Sequence, residues 1–158
     1  MVEIDYVTAK NLFLPEEQPP HPKLTAAVAR KAHKELSDIR KSVKEILEYA
    51  TKGAEDLRKG DYWSENMDMF ESLSMDQARA LAKFPIGTNH PKLGPRVFHA
   101  RAAFVAFRES ARWEIIGKIR PEMRDEDYER IMDLVTEFAK QATESMLRVE
   151  KALEKLEA

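Results

Sequence analysis

The chain has no cysteine among its 158 residues. That excludes disulfides and thiolate metal sites, and it gives no sign of secretion. Glycine is scarce, with five residues, and most of these lie outside the long periodic segments. No long apolar run exists. The best stretch, Ala102 to Phe107, is far too short to span a bilayer, and Glu3 and Asp5 interrupt any signal-peptide pattern. The four histidines show neither a His-x-x-x-His nor a Glu-x-x-His spacing, the two patterns that helices use to hold metals. There is no Gly-x-Ser-x-Gly elbow. The one loop that resembles a phosphate cradle, "GTNHPKLG" at residues 87–94, lacks the Gly-Lys-Ser/Thr ending. These absences leave no catalytic residue, metal or cofactor to assign, and the expectation is a protein that is not an enzyme.

The absence that carries most information concerns one sign of charge. The chain has 28 acidic and 26 basic residues and a net charge of −2, yet no Asp or Glu stands between Asp76 and Glu109. The same stretch holds Arg79, Lys83, Lys92, Arg96, Arg101 and Arg108, with His90 and His99. Residues 21–60 are also basic on balance, while the first 20 residues, residues 61–76 and residues 121–158 are acidic. Such asymmetry bears on partners rather than on fold. Hydrophobic residues make up 43% and charged residues 34%, the balance of a soluble globular domain long enough to bury a core. Abundant Glu, Lys and Arg without cysteine also suits a heat-stable protein.

What is present is mostly helix. Leu24, Val28, Ala32, Leu36, Ile39, Val43, Ile46, Leu47 and Ala50 recur at helical spacing over residues 23–59, with Gly53 weakening the end and Gly60 stopping it. A polar link, "DYWSENMDMFESL", follows, its Met-rich part read as core filler. Ser74 is then expected to cap a short helix over 75–84 that ends before Pro85. "PIGTNHPKLGP" reads as a loop. Pro95 opens a helix running to about Arg120, and Pro121 marks a break. "RDEDYE" begins a last helix with acids at its positive end. There Tyr128, Val135, Ala142, Val149 and Leu156 repeat every seven residues. Residues 1–22 read as an extended arm, with the apolar "NLFL" followed by "PEEQPPHP". The expected fold is all-α: an antiparallel helical bundle of three long helices and one short helix over residues 23–158, preceded by the N-terminal arm at 1–22. Trp63 and Trp113 are expected as core or interface anchors, and His33 and His99 as ordinary surface or packing residues.

Two basic stripes emerge on helical wheels. Lys23, Arg30, Lys34 and Lys41 fall on one line of the first helix, because spacings of 7, 11 and 18 return to the same face. Arg101, Arg108 and Arg112 align in the same way on the helix after Pro95, beside an otherwise apolar or small-residue surface. A helix of that kind is expected to be largely buried, so its arginines need acidic partners. Glu129, Asp133 and Glu137 on the last helix are one source, giving an internal ion-pair seam. Phosphates are the other, since the guanidinium fork matches them bidentately. Lys92, Arg96 and loop amides near a helix start add a further place for an anion. On the second alternative the nucleic-acid-binding residues are Lys23, Arg30, Lys34, Lys41, Lys92, Arg96, Arg101, Arg108 and Arg112, gripping a duplex without reading its bases.

A basic-faced helical bundle with an extended N-terminal arm and a Pro/Gly loop resembles the helical coat proteins of filamentous archaeal viruses. The resemblance is architectural and implies subunits that assemble into a filament and wrap double-stranded DNA with positively charged helices. The arm then reaches a neighbouring copy, and the protein resides in the virion rather than the cytoplasm, with no membrane partner. Some such coat proteins are plainly basic whereas this chain is slightly acidic, which leaves room for a second, more basic coat subunit. The alternative expectation is a helical adaptor or scaffold that binds a protein partner through its C-terminal amphipathic helix.

Overall fold

The computed structural model describes residues 24–157. The arm expected at 1–22, and Lys23 with it, lies outside the described residues. The rest is all-α, with no strand among the described residues. Helix α1 spans Ala26–Arg58, α2 spans Glu65–Ala82, α3 spans Gly94–Ala111 and α4 spans Asp125–Glu157. α3 runs directly into a five-residue π-helical turn, Arg112–Ile116.

Local chemistry sets the boundaries. The Thr25 hydroxyl accepts the Val28 amide 3.2 Å away and starts α1. Gly60 ends the following turn at φ 92°, where a side chain on any other residue would be strained. Ser64 then starts α2: its hydroxyl accepts the Met67 amide at 3.1 Å and donates to Asp56 at 2.8 Å, so the cap also ties the new helix to the end of α1. Hydrogen bonds from Asn66 and Ser64 hold the Asp56 carboxyl below its usual range. Pro95 sits in the first turn of α3, where its missing N–H costs nothing. Asp125, Glu126 and Asp127 fill the first turn of α4, as the helix dipole favours.

α2 corrects the sequence reading. Most of the segment read as a link, from Glu65 onward, is the first half of this helix, and Ser74 is a buried residue in its middle rather than a cap. Met67 and Phe70 reach the core, while Met69 is exposed. The helix expected to run unbroken to Arg120 instead widens into the π turn at Arg112.

The four helices form an antiparallel bundle. α1 packs along both α2 and α4, α4 packs along α3, and α2 and α3 approach less closely. The α1–α4 pairing is antiparallel, with His33 against Glu154, Arg40 against Glu150 and Arg58 against Asp125. The Arg58 guanidinium also stacks 4.5 Å from the Tyr128 ring centre, an attractive geometry for a cation on an aromatic face. α1 and α2 come together at Gly53, where a Cβ would overlap the Met67 thioether and lie 3.1 Å from its backbone nitrogen. The core is continuous: Leu36, Val43 and Ile46 from α1, Phe70 from α2, Phe104 and Phe107 from α3, and Val135, Met146 and Val149 from α4. Phe107 meets both Phe70 and Phe104 edge-to-face, at 6.5 and 6.2 Å. Phe84, Ile86 and Leu93 anchor the α2–α3 loop into the same core. Among the described residues no helix is long and apolar enough to cross a membrane.

Candidate nucleic-acid interface

The outer face of α1 presents Arg30, Lys34 and Lys41, all exposed. None of the three enters an ion pair among the described residues; the nearby Lys31 does, with Glu35 at 3.9 Å. The face continues across to α4. A groove of about 500 Å³ between α1 and α4 is lined by Arg40, Lys41, Val43, Lys44, Leu47, Thr136, Ala139, Lys140 and Thr143. Four of these nine are cations and none is an acid. Arg40 is committed to Glu150, through bonds of 2.5 and 3.2 Å. Lys41, Lys44 and Lys140 are exposed and hold no carboxylate among the described residues.

Lys44 and Lys140 were not legible as site residues. Lys44 lies off the line through Arg30 and Lys41, though it stands one helical turn beyond Lys41. Lys140 sits in a segment that is acidic on balance. Only the antiparallel pairing of α1 with α4 brings the two together.

The arginine line on α3 turns inward. Arg101 is 5% exposed and Arg108 7%. The Arg108 Nε donates to the Ser74 hydroxyl at 2.9 Å, and its two terminal nitrogens donate to Glu109 and Glu71 at 3.1 and 3.2 Å. Arg112 is half-exposed and shares the same acids, with Nε 2.9 Å from Glu71 and an NH1 3.2 Å from Glu109. The hydrogen bond that Arg112 donates to Glu71 raises its guanidinium further above an already high range. The expectation of an outward phosphate-binding line through Arg101, Arg108 and Arg112 is therefore corrected. The physical reason is the wide α2–α3 spacing, which long arginine side chains fill. The partners also differ from those expected: Glu71 on α2 and Glu109 on α3 serve, not Glu129, Asp133 or Glu137 on α4.

Arg101 differs from Arg108 in having no carboxylate. Its Nε donates to the Leu81 carbonyl at 2.9 Å, and burial pushes its guanidinium down to about 10. The folded value lies below the unfolded one, so this charge opposes folding wherever both states are protonated, neutral pH included; the opposition fades only as pH rises through about 10. The Leu81 carbonyl keeps a second donor, the Phe84 amide at 3.2 Å. Arg101→Met is accordingly expected to leave stability unchanged within about 1 kcal/mol or to increase it, as read by urea unfolding. A loss of several kcal/mol would contradict this account.

The loop before α3 offers no free anion cradle at the amides expected to form one. The His90 Nδ1 accepts both the Lys92 and Leu93 amides, at 3.2 and 3.0 Å. Lys92 and Arg96 are exposed and do not line the α1–α4 groove. Burial, with the Arg148 charge in support, lowers His99, and His33 lies 3.1 Å from Glu154; both are packing residues of the kind expected. Among the described residues no group of three His, Cys, Asp or Glu side chains is placed to hold a metal ion.

Of the two places expected for the tryptophans, core or interface, the core is excluded. Trp63 is 92% exposed and Trp113 75%. Trp63 stands in the α1–α2 turn and Trp113 in the π turn after α3, with Tyr62, Met69 and Ile116 also exposed nearby in sequence. The antiparallel order puts the α1–α2 turn and the end of α3 at the same end of the bundle. The bond from Arg112 on the π turn reaches Glu71 in the second turn of α2. Large apolar side chains exposed at one end of a bundle are candidates for a contact surface. No family model, curated protein or solved structure matches this chain.

Proposed function

We propose that this chain is a non-enzymatic structural protein that self-assembles and coats nucleic acid, double-stranded DNA in the first instance, through sequence-independent contacts to phosphate. A role as a virion coat or nucleocapsid subunit is the form of this reading that its overall architecture favours. One observation carries it: Arg30, Lys34, Lys41, Lys44 and Lys140 are exposed and hold no carboxylate among the described residues. Helix surfaces ordinarily intersperse both signs to gain Glu–Lys pairs, so cations left without partners point to an anion from outside. From Arg30 to Lys44 is about 21 Å along the axis at 1.5 Å per residue. That is about six base pairs of duplex length at 3.4 Å each.

The assembly half of the reading draws on the exposed aromatic end. Trp63→Lys with Trp113→Lys is expected to leave thermal stability within about 0.5 kcal/mol, as for other exposed positions. The same pair of changes is expected to shift sedimentation from oligomer to monomer. An unchanged oligomer would remove this surface from the assembly. The adaptor alternative loses support, because Val135, Ala142 and Val149, the stripe it needs, are buried within this bundle.

The test is binding to a labelled random-sequence duplex over a range of salt. Five cations each neutralising one phosphate give a log–log slope of about −4.5. No binding even at low salt overturns the reading.

A further inference from the structure

The α1–α4 groove has an apolar floor and a cationic rim. Val43, Leu47 and Ala139 form the floor, and Lys41, Lys44 and Lys140 the rim. Its two threonine hydroxyls are already spent on backbone carbonyls, Thr136 donating to Met132 at 2.7 Å and Thr143 to Ala139 at 3.0 Å. The lining therefore offers apolar contact and positive charge, and little neutral hydrogen bonding. The complementary ligand is a short apolar segment followed directly by carboxylates. Residues 11–17 of this chain, "NLFLPEE", have that composition.

Length agrees with composition. α1 begins near Leu24, and from there to Val43 and Leu47 is about 29–35 Å along the helix axis. Leu14 precedes Leu24 by ten residues. Pro15, Pro19, Pro20 and Pro22 lie between them, and a proline-rich segment extends about 3.1 Å per residue, or about 31 Å in all. Glu16 and Glu17 reach about 22–25 Å on the same measure, against about 26 Å from Leu24 to Lys41.

We infer that residues 11–17 of the same molecule dock in the α1–α4 groove. Leu12, Phe13 and Leu14 cover Val43, Leu47 and Ala139, and Glu16 and Glu17 meet Lys41, Lys44 and Lys140. The segment then covers the cations that the polyanion uses, so it competes with nucleic acid for them. The competition, unlike the docking, rests on the proposed function.

Zero-length carbodiimide cross-linking of the full chain tests the docking, with equal amounts of ¹⁴N- and ¹⁵N-labelled protein mixed beforehand. The expected products join Glu16 or Glu17 to Lys41, Lys44 or Lys140 within one isotope label, and Phe13→Ser depletes them. The Lys118–Glu114 pair, 2.9 Å apart, is the internal control. If the control pair links and the arm does not, the docking is wrong. Links found only between labels also overturn it, because a second copy's arm then fills the groove. Duplex binding of Glu16→Gln/Glu17→Gln reports the competition. An arm seated nine-tenths of the time lowers apparent affinity about tenfold, so releasing it restores that factor. Same-label links with no duplex binding at any salt would uphold the docking and end the polyanion reading. Duplex binding without links would do the reverse.

Discussion

Reversing Lys34, Lys41, Lys44 and Lys140 to Glu together is expected to abolish duplex binding at moderate salt while the bundle stays folded. All four side chains are exposed, and none holds an ion pair among the described residues. Exposed substitutions of this kind typically change stability by about 0.5 kcal/mol or less each. Each lost phosphate contact lowers the salt slope by about one, so four remove most of the attraction, and the introduced carboxylates repel what remains. Fluorescence anisotropy against salt gives the slope, and circular dichroism melting gives the fold. Unchanged binding with an unchanged melt would show that nucleic acid does not use this face.

Arg108→Glu is expected to do the opposite, destabilising the protein rather than silencing a surface. Arg108 is the buried hub of a network with buried Ser74 and part-exposed Glu71 and Glu109, all within 3.2 Å. Reversal buries a carboxylate at a position only 7% exposed, beside two others, and removes the cation that they face. Breaking a buried pair in this way costs about 3–5 kcal/mol. That is a large part of the roughly 5–15 kcal/mol that holds a domain together, and it corresponds to a fall in melting temperature of about 6–20 °C. Arg108→Met is expected to cost less, because Arg112 still holds Glu71 at 2.9 Å. A melt of Arg108→Glu within 2 °C of the parent, with duplex binding lost, would return Arg108 to the interface. Set beside the near-neutral Arg101→Met, this pair separates two arginines that look equivalent in the sequence.

That equivalence marks how far local pattern reaches. α1 was legible over residues 23–59 against an observed Ala26–Arg58, and α4 from its seven-residue repeat, because long amphipathic helices write their buried face into their spacing. α2 was half missed. Its stripe runs Met67, Phe70, Ser74, Leu81, and the serine breaks the apolar rhythm at the place where Arg108 enters from α3. No periodicity within α2 can announce a partner that sits 34 residues away.

The candidate site divides along the same line. Alignment of Arg30, Lys34 and Lys41 opposite an apolar stripe follows from helix geometry alone, since a helix with one buried face must turn the other to solvent. α3 has no such single polar side: its surface is apolar or small nearly all round, so its arginines had no outward direction that local spacing could assign. By itself, then, the sequence determined four things: the all-α class, the paths of the two long helices, the bend points at Gly60 and Pro95, and the outward basic face of α1. The tertiary structure alone decided that Glu71 and Glu109 neutralise Arg108 and Arg112 while Arg101 is buried without a carboxylate, and that Lys140 joins Lys41 and Lys44 across a groove. It also decided that two tryptophans stand exposed at one end. Charge placement in a bundle depends on which helix lies alongside, and that is settled by the summed packing of every buried face rather than by any one segment.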